Sequence, residues 1–189
     1  YSNSGYIILG FILEKLSGKS FGEVLRTRIT SKLKLTDTYL ATGNIDVNKN
    51  EALTYMNLGG DWKQVSETHP SLLFSAGGIV STPSDLVKFI QALFDGKLVS
   101  KASLDLMKTI RDGDGLGMEP FTFAGKIFYG HTGGGDNYGA WLAFLPEEKL
   151  AVAYTTNAKV YPVVNIVRGV VEIYYDKPFQ IPAFETVVV

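Results

Sequence analysis

There is no cysteine in the 189 residues. Disulfides, thiolate nucleophiles and Cys-ligated zinc are thereby excluded, although the redox compartment stays open. Histidine is scarce too. His69 and His131 are the two present, too few for a histidine-rich metal centre, and no cofactor is implied. No charge of one sign is in excess: 18 Lys and Arg face 19 Asp and Glu, for a formal net charge of -1. Nothing therefore favours nucleic acid or an anionic membrane as a partner. No apolar run reaches the roughly 20 residues of a membrane span. The longest, Tyr6 to Leu13, is interrupted by Gly10. Repeats, low-complexity tracts and linker-like stretches are missing as well. So are an initiating Met and a leader, and Tyr1-Ser2-Asn3 runs directly into a strongly apolar segment. The expectation is a portion of a longer protein, with any targeting segment lying elsewhere.

What is present suits one globular domain, with 46% hydrophobic and 20% charged residues. Residues 6–16 (YIILGFILEKL) are apolar nearly all round and stop at Ser17-Gly18. That pattern predicts a helix buried on every side. Ser20 and Glu23 form a capping box that opens a second helix, with Phe21, Val24, Leu25 and Ile29 on one face. Residues 36–75 are turn-rich and predict short strands and loops. Thr82-Pro83 reads as an N-cap followed by proline at the first helical position. Leu86, Phe89, Ile90 and Leu93 follow at helical spacing, and Gly96 is the stop. A further short helix is expected from about Ser100.

The second half reads as strands: 126–132, 138–145 and 150–156, rich in aromatic and β-branched residues. Pro146–Lys149 turns the last two into an antiparallel hairpin. Residues 160–175 are valine-rich, which favours strand. However, Val164, Val167, Val171 and Tyr174 share a helical face, and a helix is expected. The fold class is α+β: a mainly helical region over 1–110, then an antiparallel sheet and C-terminal helix over 111–189, together a single incomplete catalytic domain.

Three segments could carry chemistry. Tyr1-Ser2-Asn3 alone is no more than a helix start with Ser2 or Asn3 as cap. His131-Thr132-Gly133-Gly134-Gly135 alone is a glycine-rich connection with a half-buried histidine. It is no phosphate loop, since no G-K-[ST] is present and no helix follows directly. Phe74–Leu86 alone is a tight turn leading into a capped helix. Taken together and in this order, the segments resemble the serine β-lactamase and penicillin-binding-protein superfamily, in particular its carboxypeptidase, class C β-lactamase and esterase branch. That superfamily carries S-x-x-K, then S-D-N or Y-x-N, then K-T-G or H-T-G. Tyr1-Ser2-Asn3 matches the second motif and His131-Thr132-Gly133 the third. Ser75-Ala76-Gly77-Gly78 with its helix, Leu35-Thr36-Asp37-Thr38, and the aromatic hairpin also fit. The resemblance covers essentially the whole chain and implies a β-lactamase/transpeptidase-like fold.

The first motif is missing. The single S-x-x-K match, Ser31-Lys32-Leu33-Lys34, lies after Y-x-N rather than before it, at the polar end of a helix where lysine complements the dipole. The nucleophile is expected upstream of residue 1.

The implied reaction is acyl transfer through an acyl-enzyme. On the resemblance, Tyr1 shares the base role with the upstream lysine. A free tyrosine has a pKa near 10, so positive neighbours would have to lower it. Asn3 would bind the substrate amide or that lysine. His131 replaces the commoner lysine of the third motif, which points away from β-lactamase activity and towards a D-Ala-D-Ala carboxypeptidase or esterase. Thr132 could bind a substrate carboxylate. Gly133 and Gly134 would line the site, with the Gly134 N–H as one oxyanion donor. Without the serine the chain alone is expected to be inactive.

Two other readings stand beside this one: a non-catalytic binding or sensing module, and a purely structural fragment. The expected partner is a small-molecule or peptidoglycan-like acyl substrate. Exposed apolar surface is expected to drive self-association or pairing with the missing N-terminal segment. The resemblance implies a bacterial periplasm, cell envelope or secreted location, which the chain itself does not fix.

Overall fold

The apolar strands of the second half meet as a four-stranded antiparallel sheet in the order β5-β6-β7-β8, formed by Glu119–Phe123, Lys126–Gly135, Tyr138–Leu145 and Leu150–Thr156. The computed structural model describes residues 1–181. Residues 182–189, counted above within the sheet-and-helix half, lie outside the described residues. The remaining elements, in chain order, are α1 (Asn3–Ser17), α2 (Phe21–Leu25), a π-helical turn (Arg26–Thr30), α3 (Ser31–Leu33), β1 (Tyr39–Leu40), β2 (Tyr55–Leu58), β3 (Asp61–Gln64), α4 (Phe74–Gly77), β4 (Ile79–Val80), α5 (Pro83–Phe94), α6 (Lys101–Met107) and, after the sheet, α7 (Val163–Tyr174). β1 pairs with β4 and β2 with β3. The protein is α+β.

β7 is the central wall. Its residues alternate between two cores, which is why YGAWLAFL is apolar almost throughout rather than every second residue. Trp141, Ala143 and Leu145 face α7, whose Val167 and Val171 are fully buried with Phe123 and Phe128. Phe144 faces the opposite layer and packs at a tilt against Phe94 of α5, ring centroids 4.5 Å apart. There Leu93, Leu104 and Met118 form a second core with Phe89 and Tyr129. Each such side chain, fully buried, is worth about 1.5–3 kcal/mol. The sheet is thus the middle layer between α7 and the helical region.

Local signals placed most helices. Ser20 and Glu23 make the full capping box. Thr82 accepts from the Asp85 N–H, and Ser100 from the Ser103 N–H. The valines of 163–171 are helical because burial against the sheet outweighs their strand propensity. Tyr174, expected on that face, is exposed, and Tyr175 packs in its place.

Three expectations need correction. α1 is not buried on every side: Gly10 is its buried residue, while Ile8, Leu9, Phe11, Ile12 and Leu16 are exposed. Among the described residues α2 and α4 pack against it, leaving the opposite stripe open. The third-motif strand does not end at residue 132 but runs through the glycines to Gly135. And β5 was not expected. Pro120 interrupts its strand pattern, yet proline is tolerated because β5 is the sheet's edge.

Glycine at position 10 allows α4 to approach. A Cβ there would come within 2.1 Å of Ser75 Oγ and 2.8 Å of the Phe74 ring. Ser75 in turn donates to the Tyr6 carbonyl of α1 at 2.8 Å. No helix among the described residues is long and apolar enough to cross a membrane.

Candidate active site

Ser2 caps α1, its hydroxyl accepting from the Gly5 N–H at 3.1 Å. This settles the capping role on Ser2 and frees Asn3, the first helical residue. The Asn3 Oδ1 accepts a hydrogen bond from the Tyr1 hydroxyl at 2.8 Å. Tyr1 lies between Tyr6, stacked at 5.4 Å, and His131 at 5.5 Å between ring centroids. The second and third motifs, 128 residues apart from Asn3 to His131, therefore meet at one place.

β6 presents the third motif along a half-open edge. Gly130 makes the approach possible: a Cβ there would fall 1.8 Å from the Leu142 carbonyl oxygen. β5 stops pairing at the Glu119–Gly130 register, so, among the described residues, positions 131–135 have β7 on one side and no strand on the other. The turn Asp136-Asn137 closes on the Gly135–Tyr138 pair. Hydrogen-bonded and non-hydrogen-bonded pairs alternate in an antiparallel ladder. Gly133 accordingly directs its N–H to β7, and Thr132 and Gly134 direct theirs to the open edge. Gly133 also lies close to Ala140, where a Cβ would sit 3.1 Å from the Ala140 Cβ. Lys159, in the connection after β8, brings its Nζ within 3.4 Å of a Cβ placed on Gly134.

Glu119 joins the group from the end of β5. The Thr132 hydroxyl donates to it, with both carboxylate oxygens 3.3 Å away, and Glu119 Oε1 lies 3.6 Å from His131 Nε2. His131 Nδ1 is 2.6 Å from the Thr132 carbonyl oxygen. That oxygen can only accept, which assigns the proton to Nδ1. The Tyr1 phenol is held above its ordinary value, by partial burial first and then by Tyr6 and Glu119. In these residues it is a hydrogen-bond donor, and the lowering that a base role requires is absent.

The structure therefore brings Tyr1, Asn3, His131 and Thr132 together, with Gly133 and Gly134 continuing along the same strand. Ser31 and Lys34 are exposed around α3, where Lys34 caps the helix in the left-handed conformation. No three His, Asp or Glu side chains converge in a metal-binding arrangement among the described residues. A cavity of about 570 Å³ lined by Tyr55, Trp62, Tyr154 and Asn157 shares no residue with this cluster.

Residues 1–171 match the family model described as Beta-lactamase. The chain belongs to the beta-lactamase family. Within it, the chain is 25% identical over 207 aligned positions to penicillin-binding protein 4* of Bacillus subtilis (strain 168), covering 96% of this chain and 45% of that protein. It is 26% identical to the β-lactamase of Escherichia coli (strain K12), covering 86% of this chain and 52% of that one. Solved structures agree. The D-amino acid amidase of Ochrobactrum anthropi SV3, complexed with L-phenylalanine amide, superposes with a TM-score of 0.74 at 28% identity, over 83% of this chain and 49% of that one. The octameric penicillin-binding protein homologue of Pyrococcus abyssi gives 0.78 at 26% identity, over 94% and 42%. The fold is that of the serine β-lactamases and penicillin-binding proteins, and the superfamily is one of acyl-transferring serine hydrolases. The chain spans about half the length of the relatives it matches.

Sequence reasoning did not find Glu119, Tyr6 or Lys159. Glu119 stands before a proline in a strand that the sequence pattern does not reveal. Lys159 lies in a connection with no periodicity. Tyr6 was legible only as one of several apolar helix residues.

Proposed function

We propose that residues 1–189 supply one wall of a serine acyl-transfer site whose nucleophile and S-x-x-K lysine come from sequence outside this chain. The observation that supports this is the meeting of Tyr1 and Asn3 with His131 and Thr132 beside an open strand edge. In that reading Asn3 and Thr132 hold the substrate, His131 stands beside the tyrosine, and the Gly134 N–H donates to the oxyanion. Tyr1 becomes a base only when a cation outside these residues lowers its pKa. Amide- and ester-cleaving activities, as in a peptidase, amidase or esterase, fit better than β-lactamase activity. A lysine in the third motif would place a permanent ammonium at the substrate, whereas His131 stands there with Glu119 beside it at 3.6 Å.

The chain alone carries out no acyl transfer in this proposal. Removal of a serine nucleophile costs about 10⁶-fold in kcat in a well-measured hydrolase. The apolar stripe of α1 is covered in the working protein, and in the isolated chain a second copy takes its place.

The test is covalent labelling of the longer protein with a fluorescent penicillin and with a p-nitrophenyl ester. Rapid labelling at a serine upstream of Tyr1, with no burst from residues 1–189 alone, is the expected result. A folded longer protein that neither probe acylates would instead make the chain part of a binding or sensing module.

A further inference from the structure

We infer that Glu119 makes this site a receptor for substrates that bring an ammonium or another hydrogen-bond donor to Thr132, and a poor receptor for substrates that end in a carboxylate. The inference rests on the acyl-transfer reading for the word substrate, and on the geometry of β5 and β6 for everything else.

A carboxylate-binding site needs donors. The Thr132 hydroxyl has one proton, and it is directed at Glu119, whose two oxygens are each 3.3 Å away. The hydroxyl is left with lone pairs to offer. His131 carries its proton on Nδ1, facing the Thr132 carbonyl at 2.6 Å. Its Nε2 faces Glu119 Oε1 at 3.6 Å, so neither ring nitrogen is turned towards a ligand carboxylate at Thr132. The Tyr1 hydroxyl spends its proton on Asn3. Seen from a ligand, the Thr132 end of the site offers the lone pairs of the Thr132 hydroxyl beside one carboxylate. That carboxylate is only a quarter exposed, so its charge is screened less than that of a free surface acid.

The surrounding charges sharpen the asymmetry. The Lys159 ammonium lies two residues along the strand, over Gly134. The site is therefore acidic where Thr132 stands and basic over the face of Gly134. An anion developing near Gly134 and a cationic or donor group near Thr132 are both accommodated, while a carboxylate placed on Thr132 meets Glu119. Among amide and ester substrates, this favours those with a free amino group or a neutral polar group over carboxylate-terminated peptides.

The test needs no acyl transfer. Backbone amide shifts of residues 130–135 are followed in the 15N-labelled chain 1–189, at constant ionic strength, during titration with alaninamide hydrochloride and separately with N-acetylalanine. Alaninamide is expected to shift His131, Thr132 and Gly134, and N-acetylalanine to leave them in place. E119Q, whose spectrum also reports folding, should weaken alaninamide binding about tenfold, the difference between a charge-assisted and a neutral hydrogen bond. E119K should reverse the preference. E147Q, in the exposed turn between β7 and β8, should change nothing. Equal or tighter binding of N-acetylalanine, unchanged alaninamide binding in E119Q, or no shift with either ligand overturns the inference. Failure of the longer protein to be acylated would sink the acyl-transfer reading and leave this result untouched.

Discussion

Asp136, at the tip of the β6–β7 turn, accepts two hydrogen bonds from Thr68, one from its backbone N–H and one from its hydroxyl, each at 2.9 Å. Two residues on, the Tyr138 hydroxyl shares its proton between the Ala52 carbonyl at 2.7 Å and Glu67 Oε1 at 2.9 Å. The strand that presents Gly134 is thus tied at its end to the β2–β3 excursion. Y138F should cost about 1.5–3 kcal/mol, the range for a hydrogen bond to a charged partner. Hydrogen exchange across 52–68 should quicken in the variant. The phenol is pushed well above its ordinary value, by burial and then by Glu67. A raised folded value gives stability that is present below the unfolded pKa, about 10, and lost as pH rises beyond it. Denaturant melts should therefore show the wild type losing stability above that pH and Y138F losing less.

Gly10 offers a contest between two effects of opposite sign. Alanine is the better helix former by about 1 kcal/mol at an interior position. By propensity alone G10A would stabilise α1. Its Cβ would, however, meet Ser75 Oγ at 2.1 Å, Ser75 Cβ at 2.6 Å and the Phe74 ring at 2.8 Å. Overpacking of this kind costs about 1–3 kcal/mol, so the steric term wins. G10A should lower the urea midpoint, and G10A/S75G should recover part of the loss. A G10A variant as stable as wild type would show that α4 moves aside freely.

Asp85 is 1% exposed and holds together segments 48 residues apart in sequence. Its Oδ2 accepts from the Asp37 N–H and the Thr38 hydroxyl, each at 3.0 Å, and its Oδ1 from Lys88 Nζ at 3.0 Å. Burial alone would raise this carboxyl. The hydrogen bonds from Lys88, Asp37 and Thr38 outweigh it, and the value is lowered. A depressed folded value gives stability that is present above the unfolded pKa, about 4, and lost as pH falls through the folded one. D85N should cost about 1–3 kcal/mol at pH 7, because the Asp37 N–H loses a charged acceptor in a dry place. Denaturant melts should show wild type losing more than D85N between neutral and acid pH. Parallel losses would place the acid sensitivity elsewhere.

Local chemistry was the legible part of this chain. Ser20 with Glu23, Thr82 with Pro83, and Ser100 each satisfy N–H groups within three residues, so sequence spacing alone identifies them. Strands β6 to β8 were legible through their aromatic and β-branched residues, which pack against helices on both faces of the sheet. Asp85 was visible as a first-turn acid, but its acceptors' partners lie at Asp37 and Thr38, and no local pattern records a contact of that span. Glu119 was hidden for a different reason. Its strand contains Pro120 and follows a glycine-rich stretch, so neither periodicity nor propensity separates it from a loop. The site motifs were readable as residues in order, whereas the acidic character of their surroundings depends on where β5 ends.

The apolar run at the start of α1 was read as a sign of burial, and the pattern could not say what does the burying. Ile8, Leu9, Ile12 and Leu16 are 58%, 52%, 45% and 81% exposed. At 100° per residue these four positions fall on a single stripe, opposite the Gly10 side where α4 sits. A stripe of four large aliphatic side chains rarely stays in water on a soluble domain, and each is worth about 1.5–3 kcal/mol when covered. Residues 1–189 should therefore associate with a second copy through α1 at micromolar concentration. The polar double substitution L9K/L16K should remove two of the four contacts and place like charges across a symmetric interface, leaving a monomer that is otherwise folded. Light scattering distinguishes the outcomes. A mass of 20.7 kDa for the unaltered chain across the micromolar range would mean that the stripe tolerates water, and an association that survives L9K/L16K would place the interface elsewhere on the surface.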